Sequence, residues 1–191
     1  ENSLVQGTVD AQTNTINADS VALEGCIKAS FTFSIDSVKN TPTVINYAIG
    51  GTAVNGVDYA FIDSIMTIPA GQTSATIIID AVADGLTEGQ ETIELYYSSG
   101  PCQEMDTIKL FINDYNLIEF TSTPTNSSCN GIPDGSVTFN ISGGIPPYYI
   151  TLVDSATGTS QNYTTSTITG LPAGTYTVTV TDVNGCTQTQ T

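Results

Sequence analysis

The chain has 191 residues, enough for one large or two small domains, and it is strongly acidic, with a formal net charge of -16. This charge excludes nucleic acid and an anionic membrane surface as partners, because both need a basic footprint. Histidine is absent, so a bound metal would have to be a hard, oxygen-liganded cation, which in practice means calcium. No apolar run is long enough for membrane insertion, and the polar start lacks the form of a signal peptide. We therefore expect an internal piece of a longer secreted protein.

Alternating strand patterns recur along the chain, and helical periodicity is nearly absent. The clearest period-two segments are residues 31–35, 93–96, 108–112 and 176–180. Turn signals lie between the strands at Gly50-Gly51, Asn55-Gly56, Gly143-Gly144 and Asn184-Gly185. Short strands at this spacing predict an all-β protein of two tandem immunoglobulin-like β-sandwich modules.

A change of composition near residues 113–117 marks the boundary between the modules. Acidic residues are frequent before it, and only four charged side chains follow it. We predict modules at residues 17–116 and 117–191. Residues 1–16 are predicted to be an N-terminal extension or the tail of a preceding module.

Four segments of the first module follow one another in a characteristic order: VINY at 44–47, GTAVNGVDY at 51–59, IPAGQ at 68–72 and DGLTEGQET at 84–92. They resemble a Calx-β domain over nearly the whole module. In calcium-binding Calx-β domains, carboxylates at one tip of the sandwich hold the ion. The resemblance implies calcium ligands at Glu24, Asp58, Asp84, Glu88, Glu91 and Asp114. The alternative is that these acids cap turns at a solvated end by accepting backbone hydrogen bonds.

The second module carries CNG at 129–131, DGS at 134–136, GGIPPY at 143–148, GLPAGTY at 170–176 and TDVNGC at 181–186. These motifs resemble an SprB-type repeat, which occurs in tandem in adhesins of gliding Bacteroidetes. The resemblance covers the module except the end of its last strand. It implies a non-catalytic adhesive repeat on the cell surface.

Four cysteines, none in a CxxC pair, favour disulfides in an oxidising compartment. In an immunoglobulin-like topology, Cys26 and Cys129 lie at one tip of their modules and Cys102 and Cys186 at the other. A strand of about seven residues spans roughly 23 Å, whereas a disulfide needs Cα atoms about 5–6 Å apart. This favours a Cys26–Cys186 bridge between modules, with Cys102 and Cys129 left for neighbouring modules. Pairing within modules and free thiols stay open as alternatives.

An Asp followed by Ser or Thr and an aliphatic residue resembles the O-glycosylation motif of Bacteroidetes, although so short a motif also recurs by chance. The acceptors would be Ser20, Ser37, Ser64, Thr107 and Ser155.

No catalytic constellation is present, so we predict a structural or adhesive repeat pair rather than an enzyme. The expected partners are neighbouring modules of the same chain and a surface polysaccharide or glycan. The alternative is a glycan-binding accessory module of a secreted multi-domain protein or hydrolase. Tyr148 and Tyr149 could present a ring to a sugar, although a tyrosine beside a turn is more often part of the core.

Overall fold

The structure is a computed structural model that describes residues 21–98, 105–129 and 132–191, together with the backbone of residues 5–11. The chain divides into two compact units, Glu1–Tyr115 and Asn116–Thr191, one residue before the predicted module boundary. The described residues form strands and turns without a helix, which confirms the all-β prediction. Accordingly, none of them lies in a helix that could cross a bilayer.

The first module is a sandwich of two sheets. The three-stranded sheet has the order β1-β3-β6, and the five-stranded sheet has the order β2-β8-β7-β4-β5. The strands are β1 Val5–Ala11, β2 Val21–Leu23, β3 Ala29–Ile35, β4 Thr43–Gly51, β5 Ile65–Ile68, β6 Ser74–Ile79, β7 Glu91–Ser98 and β8 Met105–Asn113.

Strand β1 differs from the prediction for the start of the chain. The sequence predicts that residues 1–16 are an extension or the tail of a preceding module, but Val5–Ala11 pairs antiparallel with Ala29–Ile35 over seven residues. The segment alternates with period two, as a strand should. The paired residues lie between 18 (Ala11 and Ala29) and 30 (Val5 and Ile35) positions apart, so local sequence could not reveal the pairing.

The core of the first module lies between the two sheets and follows the predicted alternation. Phe33 of β3 is fully buried, stacks on Tyr47 at 5.7 Å between ring centroids and meets Tyr97 edge-on at 4.9 Å. Gly50-Gly51, predicted as a turn, instead completes β4. Gly51 has a φ of 109°, and a Cβ there would lie 2.1 Å from the carbonyl oxygen of Thr92. This glycine therefore permits close approach to β7 rather than chain reversal.

The second module is also a two-sheet sandwich, with sheet orders β13-β10-β9 and β12-β11-β14-β15. The strands are β9 Glu119–Thr125, β10 Gly135–Ser142, β11 Tyr149–Asp154, β12 Ser160–Tyr163, β13 Thr167–Leu171, β14 Tyr176–Thr181 and β15 Thr187–Gln190. Val178 and Val180 of β14 are buried, as the alternation predicted.

A buried carboxylate organises the closing hairpin of the second module. Asp182 is 1% exposed and accepts hydrogen bonds from the backbone N–H of Ile145, Asn184 and Cys186 at 2.9, 2.9 and 3.0 Å. These bonds offset the cost of burying the carboxylate and join the turn after β14 to the segment before β11. The predicted Gly143-Gly144 turn is present, with φ of 68° at Gly143.

Candidate metal centre

Two of the predicted ligands meet because two strands run parallel. Strand β2 pairs with β8 so that Leu23 lies opposite Asn113, and the backbone N–H of Glu24 donates to the carbonyl of Asn113 at 3.3 Å. Glu24 and Asp114 each follow these paired residues directly. Both acids therefore lie at the same end of the five-stranded sheet, although ninety residues separate them in sequence.

The loop between β4 and β5 places Asp58 at this end and holds it through its own hydrogen bonds. The carboxylate of Asp58 accepts the backbone N–H of Val54 at 2.6 Å. The side chain of Asn55 clamps Ile62 across the loop: its amide donates to the Ile62 carbonyl at 2.8 Å, and its oxygen accepts the Ile62 N–H at 2.9 Å. The carbonyl of Asp58 also accepts the N–H of Val82, which joins this loop to the segment after β6.

The loop before β7 contributes Asp84, Glu88 and Glu91. Asp84 accepts the N–H of Leu86 at 2.8 Å within its own turn. Asp114 accepts the N–H groups of Glu88 and Gly89 at 3.1 and 2.9 Å, which fastens the loop to the end of β8. Glu91 begins β7 on the side that faces the core.

Carboxylate oxygens of Asp58, Glu88 and Glu91 lie within 4.8 Å of one another. Calcium–oxygen distances are about 2.4 Å, so two ligands on opposite sides of an ion are about 4.8 Å apart. The three oxygens therefore have the spacing of ligands that share one cation. Glu24, Asp84 and Asp114 surround this trio closely enough to perturb its charges, and we call all six residues the acidic cluster.

Repulsion and burial both act against ionisation in the acidic cluster. Burial and the neighbouring charges, chiefly Asp114 and Asp84, raise the pKa of Glu24 to about 7. Burial, followed by the charge of Asp58, also raises the pKa values of Glu88 and Glu91. The acidic cluster is thus a concentration of negative charge in which each of these three carboxyls titrates above its ordinary range.

Hydrogen bonding divides the acidic cluster into two groups. Asp58, Asp84 and Asp114 accept backbone N–H bonds, as the turn-capping alternative predicts. The pKa values of Glu24, Glu88 and Glu91 are not lowered by any hydrogen bond. Among the described residues, the buried Oε2 atom of Glu91 has no hydrogen-bond partner. Capping therefore accounts for the aspartates and leaves the glutamates unexplained.

Asn55 is the residue of this site that the sequence did not single out for a role. Its Asn-Gly pair indicated a turn, but its side chain fixes the width of the loop that carries Asp58. An Asn three residues before the Asp was the available signal. It could not show that the amide reaches Ile62 across the loop.

The cysteines differ in oxidation state. Cys26 and Cys186 are each disulfide-bonded, whereas Cys129 has a free, exposed thiol. The free thiol is inconsistent with a Cys129–Cys186 pair, so the alternative of pairing within the second module is wrong. Cys102 lies outside the described residues. A disulfide is typical of an extracellular environment.

The remaining candidate residues lie on the surface or serve the fold. Tyr148 is half-buried and its hydroxyl donates to the carbonyl of Gly143 at 2.6 Å, which is a turn-supporting role. Tyr149 is 49% exposed. The candidate O-glycosylation residues within the described part of the chain are all exposed: Ser37, Ser64, Thr107 and Ser155. Ser20 lies outside the described residues.

Comparison with solved structures returns other β-rich chains at low identity. CBD12 from CALX1.2 is 14% identical with a TM-score of 0.41, and the match covers 85% of this chain and 76% of that one. The calcium binding domain CBD12 of CALX1.1 is 15% identical with a TM-score of 0.43 and the same coverage. The Pseudomonas aeruginosa CupB2 chaperone is 12% identical with a TM-score of 0.35, covering 91% and 96%. At such scores these likenesses carry no argument about function.

No curated protein matches the chain significantly. The family model of the SprB repeat, however, matches residues 121–157. The matched segment runs from β9 to the turn after β11, inside the module whose motifs predicted it. Over residues 121–157 the chain is therefore similar to the SprB repeat.

Proposed function

We propose that the chain is a non-catalytic pair of β-sandwich modules from a secreted or cell-surface adhesive protein, and that its first module binds calcium. The observation that carries the calcium site is the state of the glutamates: Glu24 is only 4% exposed, and Glu91 has a buried oxygen without a partner among the described residues. An uncompensated buried carboxylate is costly. Calcium takes six to eight oxygen ligands and would compensate these groups together.

Calcium would act on the mechanics of the module. The acidic cluster collects the ends of β2 and β8 and the loops that follow β4 and β6. One cation held by carboxylates from all four places would cross-link the end of the sandwich and remove the repulsion among its acids. A module stiffened in this way suits a stalk or an adhesive repeat under load.

The test is calorimetry of the full chain in millimolar calcium and in chelator. A ligand that binds only the folded state at a hundred times its Kd adds about 2.7 kcal/mol. We expect one of the transitions to rise in temperature with calcium, and Glu91→Gln to remove most of that rise. Asp36→Asn, which neutralises an exposed acid outside the cluster, should retain it. Equal melting temperatures in calcium and chelator would contradict the calcium site.

The secreted, adhesive setting is supported by the SprB-like segment and by the oxidised cysteines. The proposal includes a disulfide between Cys26 and Cys186, which is supported by the oxidised state of both and by the free thiol of Cys129. Peptide mapping without reduction tests it. A Cys26–Cys102 peptide would contradict the bridge between modules.

The proposal also includes O-glycosylation at the Asp-Ser/Thr motifs. Two acceptors share a local geometry: the N–H of Ser64 donates to Asp63 at 2.7 Å, and the N–H of Thr107 donates to Asp106 at 2.8 Å. Both hydroxyl-bearing residues are exposed. The intact mass of protein from its native source tests the modification, and an unmodified mass would contradict it.

A further inference from the structure

The outer face of the five-stranded sheet carries a groove along its two central strands. Across β8-β7-β4-β5, small residues occupy the middle: Asn46 and Ala48 on β4 and Ser98 on β7. The flanking strands β5 and β8 carry larger apolar side chains, Ile65 at 50% exposure and Met105 at 66%. The space between them is a shallow depression of about 420 Å³ that is open to solvent.

Tyr96 lies beside this groove as a flat aromatic surface. Its hydroxyl donates to Glu94, two residues earlier on the same face of β7, so the ring must run along the strand. Gly50 lies beneath the ring, and a Cβ at Gly50 would come within 2.8 Å of the Tyr96 Cε2 atom. Gly50 thus leaves room for the Tyr96 ring to pack flat against the sheet, with its opposite face directed away from the sheet.

The described residues that line the groove include no charged side chain. Its polar groups are the amide of Asn46 and the hydroxyls of Ser64 and Ser98. The nearby Glu94 and Lys109 neutralise each other in an ion pair of 3.2 Å. The whole chain carries -16, so an anionic ligand would be repelled.

The bonding pattern excludes other classes of occupant. Ala48 is paired with Tyr96 and Asn46 with Ile65 in the sheet ladders, so an extended peptide could not add as a strand between these paired strands. A wholly apolar ligand would desolvate the amide and hydroxyl groups without satisfying them. A sugar ring fits both features: its apolar face can stack on an aromatic ring, and its hydroxyls can bond to the Asn46 amide and the Ser98 hydroxyl.

We propose that this groove binds an uncharged oligosaccharide, with one sugar ring stacked on Tyr96 and its hydroxyls bonded to Asn46 and Ser98. The site is independent of the proposed calcium centre, because it shares no residue with the acidic cluster. It also differs from the tyrosines that the sequence suggested for a glycan, Tyr148 and Tyr149.

The test is binding of the full chain to an array of neutral, sulfated and uronic-acid oligosaccharides, followed by titration calorimetry with the best neutral ligand. Ala48→Gln fills the floor of the groove and should weaken binding by roughly tenfold or more. Val44→Gln is the matched control: it lies on the same strand and face, is 57% exposed and does not line the groove, so binding should be retained.

Tyr96→Leu removes the stacking ring and should weaken binding to a similar extent. Its melting temperature is measured alongside, since the ring also covers Gly50. Binding should be unchanged by chelator, which separates this inference from the calcium proposal. Binding restricted to anionic sugars, equal binding by Ala48→Gln, or no neutral ligand at millimolar concentration would overturn it. Self-association abolished by Ala48→Gln would assign the face to a second copy of the chain instead.

Discussion

Substitution of Glu24 by Gln should have opposite effects on stability with and without calcium. Glu24 is buried among other carboxylates, and its pKa is raised from 4.5 to about 7. A carboxyl with a raised pKa binds more protons in the folded than in the unfolded state, so the unfolding free energy falls as pH rises from about 4.5 to about 7. Below this window, the carboxyl is neutral in both states and costs nothing.

The size of the effect follows from the pKa. A change from 4.5 to about 7 corresponds to about 3 kcal/mol at 25 °C. In chelator near pH 8, Glu24→Gln should therefore stabilise the first module by up to about 3 kcal/mol at low ionic strength. Near pH 4 the gain should disappear, because the neutral carboxyl and the amide have nearly the same shape.

Excess calcium should reverse the sign. The variant lacks the charged Glu24 carboxylate as a calcium ligand, so its affinity for calcium should fall. Each tenfold loss of calcium affinity removes about 1.4 kcal/mol of the stabilisation by calcium. The assay is scanning calorimetry of the full chain at both pH values, in chelator and in calcium, with Asp36→Asn as the control for loss of an exposed charge. A variant with the same stability difference at both pH values would refute the electrostatic argument. Equal stabilisation of both proteins by calcium would remove Glu24 from the site.

Three further substitutions test the two cores separately. Phe33→Ala should lower the unfolding free energy of the first module by about 3–5 kcal/mol in urea unfolding, because it leaves a cavity beside Tyr47 and Tyr97. A loss under about 1 kcal/mol would contradict this, since it would mean that the neighbouring side chains close the cavity. Asp182→Ala should destabilise the second module by about 2–4 kcal/mol, because three backbone N–H groups lose their acceptor. The unfolding transition of the first module should stay unchanged. Gly143→Ala should abolish folding of the second module, because the added Cβ would lie 1.9 Å from the carbonyl oxygen of Leu117. Circular dichroism measures this, and a native spectrum would contradict it.

The fold was largely predictable because its strands are amphipathic. In β3, β7 and β14, every second residue is buried, so period two is visible in the sequence. The pairing of strands was not visible. The sequence predicts Val5–Ala11 to lie outside the module, yet this strand pairs with β3. The parallel pairing of β2 with β8 joins segments about ninety residues apart. Both depend on long-range contacts that no local pattern records.

The acidic residues of the site were predictable from motif spacing, but their chemistry was not. Asp58 and Glu91 are both acids beside strands, yet Asp58 accepts a backbone hydrogen bond and Glu91 has a buried oxygen without a partner among the described residues. The difference arises from the direction in which each side chain points. Asp58 folds back onto its own loop, whereas Glu91 occupies the core-facing side of β7. A sequence gives the charge of each residue but not the side of the strand end on which a carboxylate finishes.

The groove on the outer sheet face could not be predicted from the sequence for a similar reason. Its exposed residues are ordinary for solvent-facing strand positions, and their alignment depends on register across four strands: Asn46, Ala48, Ile65, Ser98 and Met105. One step of slip between β4 and β7 would move Ala48 to the opposite face and replace it with Tyr47, a core residue. Register is fixed here by burial on the inner face, where Tyr47 and Tyr97 pack against Phe33. The inner aromatic core thus determines the shape of the outer surface, and a ligand site on that surface can be located only after the core has been placed.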